Sequence, residues 1–166
     1  MFIKIIILLI TLSVNIAWAA TLEGRVVGVS DGDTITVLDT TNTQYKIRLA
    51  GIDAPEKKQD FGNVSKKSLV EMVSNQLVKV IWDKTDRYNR IVGKVLVDGK
   101  DVNLEQIKLG MAWYYRQYQK ELIFDDRINY LQAEESAMTN HMGLWLQKDP
   151  VPPWDFRKTN RAKYVQ

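Results

Sequence analysis

The sequence predicts an α+β fold with a mainly β core. Five short runs rich in Val, Ile and Thr lie between residues 21 and 97, and turn residues separate them. A helical run separates the third of these strands from the fourth, and further helical runs follow the fifth. This order of elements is typical of a small closed or nearly closed barrel, so we expect a five-stranded OB-fold barrel with about three packed helices.

The strands are predicted from β-branched residues and alternating apolar positions between turns. The first two flank the turn Asp31-Gly32-Asp33, and an Asp-Gly step is typical of a hairpin. In the third strand Ile47 and Leu49 fall on one face and Arg48 on the other. The five predicted strands are residues 21–30, 34–38, 44–52, 78–83 and 90–97.

The helices are predicted from apolar residues at three- and four-residue spacing. They cover residues 63–76, 103–109 and 122–140. The longest carries a stripe that we expect to face the core. That stripe consists of Phe124, Ile128, Leu131 and Met138.

The last eighteen residues, 149–166, are expected to form an irregular tail because three of the four prolines lie beyond the last helix. The tail also carries basic residues, together with Trp154 and Phe156. Two interpretations remain open. The tail is either a solvated terminus whose aromatic residues clasp the domain, or an arm that contacts nucleic acid.

Composition excludes several kinds of chemistry. The chain has 166 residues, no cysteine and one histidine, His141. Disulfides, thiolate metal sites, cysteine nucleophiles and any mechanism with two imidazoles are therefore excluded. The formal net charge of +3 is mild, so it permits an anionic partner without requiring one.

The N-terminal residues predict export. Lys4 precedes an apolar run over residues 5–14, and Ala17-Trp18-Ala19 follows it. These features are typical of a cleavable secretory signal, and the run is short for a membrane span, which takes about 20 residues. The alternative is an uncleaved anchor, against which Asn15 and the alanines argue. We therefore expect a signal peptide at 1–19, one domain at 20–148 and the tail at 149–166, in a secreted or periplasmic protein.

Four clusters of residues stand out as candidates for chemistry. Three of them have a plain structural interpretation when taken alone: a turn, a surface hairpin and an aromatic core. The second, with three charges at a strand end and outside any helix, is harder to explain in that way. The clusters are Asp31-Gly32-Asp33-Thr34, residues 48–56, Asp86-Arg87-Tyr88-Asn89-Arg90, and the group Trp113, Tyr114, Tyr115 and Tyr118 with Arg116 and Lys120.

Together these clusters predict a site that cleaves phosphodiesters. Asp33 and Asp53 offer hard oxygen ligands to a divalent cation, and a site with only two carboxylates should be weak and rich in water. Arg48 and Arg90 can each form bidentate contacts to a phosphate. Glu56 is then a spare carboxylate that can take a proton from the attacking water or position it.

The same motifs, in order and at these spacings, resemble the thermonuclease (staphylococcal nuclease) family. Further matches are Val102-Asn103-Leu104 and Gly110-Met111-Ala112, and the resemblance covers residues 21–146. It implies a calcium-dependent OB-fold endonuclease that acts on DNA and RNA and leaves 3′-phosphate and 5′-hydroxyl ends. We expect a monomer without a stable protein partner and without membrane attachment after signal cleavage.

The resemblance also implies a role for each matching residue. Asp33 and Asp53 match calcium ligands, and Ala54 matches a residue that contributes its backbone carbonyl. Arg48 and Arg90 match the phosphate-binding arginines, and Glu56 matches the glutamate proposed as general base. Tyr88 and Tyr118 match nucleotide-contacting tyrosines.

Three departures from the family pattern limit this transfer. Ala54 stands where the best-known member has threonine, the segment 57–63 is shorter than the loop of that member, and Arg116 stands where another nucleotide-contacting tyrosine is found.

Two other functions are alternatives to a nuclease. Barrels of this type also occur as catalytically silent modules that bind nucleic acid or protein, and a purely structural envelope protein is a third alternative. A silent module is expected to lose at least one member of the charged set, and this chain has all five. They are Asp33, Arg48, Asp53, Glu56 and Arg90.

Overall fold

The predicted five-stranded barrel is confirmed by a computed structural model that describes residues 19–163. The strands are β1 (Ala20–Asp31), β2 (Thr34–Leu38), β3 (Gln44–Leu49), β4 (Ile52–Asp53), β5 (Leu77–Thr85), β6 (Ile91–Val97), β7 (Lys100–Asp101) and β8 (Trp113–Tyr114). One sheet has the strand order β3-β2-β1-β5-β6-β7, and a parallel pairing of β3 with β6 closes it into a barrel of five long strands. A separate two-stranded sheet pairs β4 with β8.

Helices pack outside the barrel, as expected for this fold class. The α-helices are α1 (Gly62–Val73), α2 (Val102–Lys108), α3 (Phe124–Thr139) and α4 (Pro153–Lys163). Two 3₁₀ helices cover Arg116–Glu121 and Gly143–Leu146. Within residues 19–163, no helix combines the length and apolar character needed to cross a membrane.

The core fills the barrel and extends under α1 and α2. Ile35, Ile47 and Val80 point into the barrel and are fully buried, and Leu69 and Val73 of α1 cover it. Burying one such side chain contributes about 1.5–3 kcal/mol of hydrophobic free energy. The alternation predicted for β3 is confirmed, because Ile47 and Leu49 are buried on one side.

The third strand is shorter than predicted, and its early end positions residues of the site. β3 ends at Leu49, and a turn through Ala50 and Gly51 separates it from β4. Gly51 has a φ of 72°, and a Cβ at this position would lie 2.6 Å from a methyl group of Leu122. The chain therefore leaves the barrel at Gly51, and β4 pairs with β8 instead, so that Asp53 lies beside Trp113.

The stripe predicted to face the core on α3 was wrong except at Leu131, which is partly buried against the core. Phe124, Ile128 and Met138 are exposed, whereas the buried face carries Tyr130, Ala133 and Ala137 together with two carboxylates. Both carboxylates are paired. Asp126 accepts a hydrogen bond from Lys94 (2.6 Å), and Glu134 accepts from Arg116 (2.6 Å) and from the Tyr114 amide (2.9 Å). Because these partners neutralise and hydrogen-bond the two carboxylates, the helix can bury a face that contains them.

The C-terminal tail was also predicted wrongly as irregular. Pro153 opens the helix α4, a position that suits proline because its ring fixes a helical φ and the first helical amides have no partner within the helix. The predicted signal peptide falls almost entirely on residues 1–18, which lie outside the described part of the chain.

Candidate active site

All eight residues predicted for the site line one cleft at the rim of the barrel. The cleft has a volume of about 590 Å³ and lies where the β1–β2 hairpin, the β3–β4 turn and the start of β6 meet. The sequence separates these eight residues by up to 85 positions, since they are Asp33, Arg48, Asp53, Ala54, Glu56, Tyr88, Arg90 and Tyr118.

Arg48 joins the two aspartates. Its Nη2 lies 3.1 Å from Oδ2 of Asp33 and 2.8 Å from Oδ1 of Asp53. Its Nη1 donates to the backbone carbonyls of Leu49 (3.0 Å) and Ile52 (2.9 Å). The strand register places Arg48 opposite Thr34, directly after Asp33. Both terminal nitrogens of the guanidinium are therefore held by acceptors, and the side chain has little rotational freedom.

Asp33 is a buried carboxylate. Its Oδ2 accepts a hydrogen bond from the Ala54 amide (2.7 Å), and its Oδ1 accepts one from the Thr34 hydroxyl (3.0 Å). Burial raises the pKa of Asp33 to about 7, although the charge of Arg48 acts in the opposite direction. Ala54 contacts Asp33 through its backbone N–H, whereas the resemblance implied a role for its backbone carbonyl.

Glu56 is placed beside Asp53 by a residue that the sequence analysis missed. Arg157 of α4 donates from Nη2 to Oδ2 of Asp53 (2.7 Å) and from Nη1 to Oε1 of Glu56 (2.8 Å). The sequence interpretation treated residues 149–166 as an irregular tail, so it gave Arg157 no fixed position. Pro153 followed by Trp154 and Phe156 was the signal that could have indicated a docked helix.

Arg90 lines the same cleft but bonds to a different carboxylate. Its Nε and Nη2 both lie 2.7 Å from Oδ2 of Asp86, whose Oδ1 accepts from the amides of Tyr88 and Arg90. The guanidinium carbon lies 5.5 Å from the centre of the Tyr88 ring, and Tyr88 is exposed. Asp86 therefore holds Arg90 at the mouth of the cleft, in a position to meet a phosphate.

The aromatic cluster divides between the core and the cleft. Tyr114 is buried, and Tyr115 and Tyr118 line the cleft with their rings 4.9 Å apart. Tyr118 is partly exposed, and the Lys84 ammonium lies 5.6 Å from its ring centre. Tyr114 is therefore a core residue, whereas the ring of Tyr118 is accessible from the cleft.

Two buried amides of α2 fix the loops that carry the carboxylates. Gln106 donates to the carbonyl of Gly32 in the β1–β2 hairpin (2.7 Å). Asn103 donates to the carbonyl of Ala50 in the β3–β4 turn (2.9 Å) and accepts from the amide of Val95 (3.1 Å). Both side chains are fully buried, so they are positioning residues. Asn103 lies within a motif recognised in the sequence, whereas no sequence pattern indicated Gln106.

The donor set suits a hard cation that keeps most of its water. Over residues 19–163 there is no cluster of three or more His, Cys, Asp or Glu side chains that could hold a metal ion. Asp33 and Asp53 are close enough to share one nitrogen of Arg48, and both are carboxylates. A cation bound there would also favour the charged form of Asp33, which burial disfavours.

The barrel and its cleft define a class of protein. A rim site that combines buried carboxylates, arginine forks and an accessible aromatic ring on an OB-type barrel has the chemistry of a phosphodiester hydrolase. Residues 46–147 match the family model described as staphylococcal nuclease homologue.

Relatives extend this similarity over most of the chain. An uncharacterized endonuclease of Haemophilus influenzae is 43% identical over 137 residues, which cover 82% of this chain and 74% of the relative. An uncharacterized endonuclease of Escherichia coli is 44% identical, over 83% of this chain and 86% of the relative. A protein named micrococcal nuclease from Shigella flexneri is 35% identical, over 87% and 85%.

The chain therefore belongs to the staphylococcal nuclease family, and the resemblance seen in its sequence is confirmed. It is a nuclease, a hydrolase of phosphodiester bonds, and its substrates are nucleic acids.

Proposed function

We propose that this nuclease is an exported, calcium-dependent endonuclease that acts as a monomer. It hydrolyses DNA and RNA with little sugar specificity and leaves 3′-phosphate and 5′-hydroxyl ends. The observation that carries the proposal is the Arg48 guanidinium, which joins Asp33 to Asp53 in the cleft that also contains Glu56. The complete charged set is what cleavage needs and what a silent binding module would not retain.

The two aspartates are the residues that would hold calcium. Asp33 and Asp53 would supply carboxylate oxygens and Ala54 would supply its backbone carbonyl, together with water and a substrate phosphate. When bound, the ion supplies positive charge that neutralises the phosphoryl group as it gains negative charge. Calcium suits this role because it accepts many oxygen ligands in flexible geometry, and extracellular calcium is abundant enough to serve weak sites.

The chain's own side chains carry the remaining steps. Arg48 and Arg90 bind the non-bridging oxygens of the scissile phosphate and stabilise their added charge. Glu56 orients the attacking water and is placed to take its proton. Attack in line with the bond from phosphorus to the 5′ oxygen breaks that bond. The 5′ oxygen leaves with the bonding electrons and takes a proton from solvent to become a hydroxyl, and the phosphate stays on the 3′ side.

Export is proposed from residues 1–19 alone. The charged start at Lys4, the apolar run and the Ala17-Trp18-Ala19 end are the support for it. Mass spectrometry of the protein recovered from outside the cytoplasm tests the proposal. A mature chain that begins at residue 20 is expected, and an intact Met1 terminus on a membrane-bound protein would contradict it.

The activity is tested on purified residues 20–166. End-labelled single-stranded DNA and RNA are incubated with calcium or with excess chelator, and the new ends are identified by sensitivity to phosphatase and kinase. We expect internal cleavage of both polymers in calcium only, with 3′-phosphate ends. Full activity in chelator would contradict the metal assignment, and cleavage of one polymer alone would contradict the proposed lack of sugar specificity.

A further inference from the structure

The helix α4 is fixed against the mouth of the cleft by aromatic contacts. The Trp154 ring stacks on Tyr115 with centres 5.2 Å apart and planes 1° from parallel. Trp113 meets Trp154 edge-on at 5.7 Å. Ahead of the helix, the Gln59 amide donates to the carbonyl of Val151 (2.5 Å). The helix is therefore a docked part of the domain, and the aromatic clasp considered for the tail is observed.

This docking places two arginines of one helix face in the cleft. Arg157 and Arg161 lie four residues apart, which is about 6 Å along a helix, and both line the cleft. Arg157 is half-buried and contacts both Asp53 and Glu56, whereas Arg161 is exposed. The helix thus adds positive charge beside the arginines that the sequence had already indicated.

The contacts of Arg157 compete with the roles of its partners. Both oxygens of Asp53 accept hydrogen bonds from Arg157 (2.7 and 3.2 Å), and Oδ1 also accepts from Arg48. A cation on Asp53 would repel the guanidiniums held there, and Arg48 would keep its bonds to the carbonyls of Leu49 and Ile52 whereas Arg157 would lose its partner. A guanidinium on Oε1 also makes Glu56 a weaker base for the attacking water. A guanidinium that leaves these carboxylates while half-buried needs another anion.

We propose that Arg157 is a third phosphate-binding arginine of this nuclease, presented by α4. It neutralises Asp53 and Glu56 in the arrangement described above and moves to a phosphate of the bound strand when these carboxylates engage the cation and the attacking water. Arg161, which lines the same cleft, binds the next phosphate. This inference rests on the proposed function, since it takes a nucleic-acid strand as the source of the phosphate.

The test measures binding of a fluorescent single-stranded DNA 12-mer with phosphorothioate linkages, which slow hydrolysis, in calcium over a series of salt concentrations. Arg157→Gln is expected to weaken binding by at least about tenfold, because a hydrogen bond to a charged group is lost. The slope of log affinity against log salt should fall by about 0.7, the value for one phosphate contact on a single strand.

Two further variants separate phosphate binding from a structural role. Lys158→Gln removes the same charge from the next position of α4, where the side chain is exposed and pairs with Asp155 (3.0 Å). It should leave affinity and slope close to those of the wild type. Arg157→Lys should keep the slope but bind several-fold more weakly, because an ammonium cannot replace the planar fork.

The outcomes distinguish the inference from the proposed function. If the wild type cleaves and binds but Arg157→Gln matches it in affinity and slope, Arg157 is only a counterion and the inference is overturned. If Arg157→Gln does not fold, wild-type affinity in Arg157→Lys overturns the inference. If the wild type neither cleaves nor binds, the proposed function is contradicted, and so is the inference that rests on it.

Discussion

Glu56 can be tested without disturbing the barrel. Its side chain is well exposed and its ion pair is with Arg157, so its contribution to stability is small. Glu56→Gln is expected to lower kcat by about 10²- to 10⁴-fold, the range for loss of a general base, while the melting temperature stays within a few degrees.

The matched control for Glu56 is Glu71→Gln, which changes an exposed glutamate of α1 in the same way. It should retain full turnover. Wild-type turnover in Glu56→Gln, measured on the same substrate, would remove Glu56 from the mechanism.

Arg48 depends on its shape as well as its charge. One nitrogen contacts two carboxylates and the other contacts two backbone carbonyls. An ammonium group cannot reach all four acceptors, so Arg48→Lys should lower turnover by about 10²-fold or more. It should also lower the free energy of unfolding by about 1–3 kcal/mol, because acceptors around a half-buried site lose their donor.

Turnover and urea denaturation measure these two effects of Arg48→Lys. Arg25→Lys is the control, since Arg25 bonds to Asn75 at an exposed position. Retained activity in Arg48→Lys would show that charge alone suffices at this position.

At the scale of elements, α4 should be separable from the barrel. Its aromatic contacts run through Trp154, and each aromatic pair contributes about 0.5–1.5 kcal/mol beyond area burial. Trp154→Ala is therefore expected to release α4 while the barrel stays folded. Amide hydrogen exchange should lose protection in residues 153–163 and keep it in β1 and β5.

Activity should follow this release of α4. Trp154→Ala should reduce affinity for the DNA strand as Arg157→Gln does, because both remove the same guanidinium from the cleft. Phe124→Ala is the control, since Phe124 is an aromatic residue that is 70% exposed. Unfolding of the whole domain in Trp154→Ala would contradict the separation.

At the scale of the whole molecule, Asp33 links stability to pH. Its folded pKa of about 7 lies above the ordinary 3.8 because burial disfavours the charge. The folded state therefore binds more protons between these values, and the free energy of unfolding should fall as pH rises from about 4 to 7. Asp33 should contribute roughly 2–4 kcal/mol of this decrease in chelator, and that part should be absent in Asp33→Asn.

Urea denaturation at several pH values in chelator measures this dependence. Calcium should restore part of the stability at pH 8, because a ligand that binds only the folded state stabilises it. The assignment fails if Asp33→Asn loses stability with pH as steeply as the wild type does.

Much of the fold and of the site was determined by local patterns in the sequence. The Asp-Gly step places Asp33 on a hairpin, and the alternation in β3 turns Arg48 away from the barrel core, where Ile47 and Leu49 point. Such features depend on backbone geometry over a few residues, so they can be interpreted without knowing the rest of the chain. The resemblance then assigned roles to residues that these patterns had already singled out.

Tertiary structure decided what local patterns leave open. The face that α3 buries depends on partners for Asp126 and Glu134 that lie on other elements. The end of β3 depends on β8, more than sixty residues later. Arg157 meets Asp53 across 104 positions, through a helix that packs only because Tyr115 and Trp113 receive Trp154. The periodicity of residues along the chain does not indicate such distant partners, because these contacts form only when separate elements of the folded domain pack together.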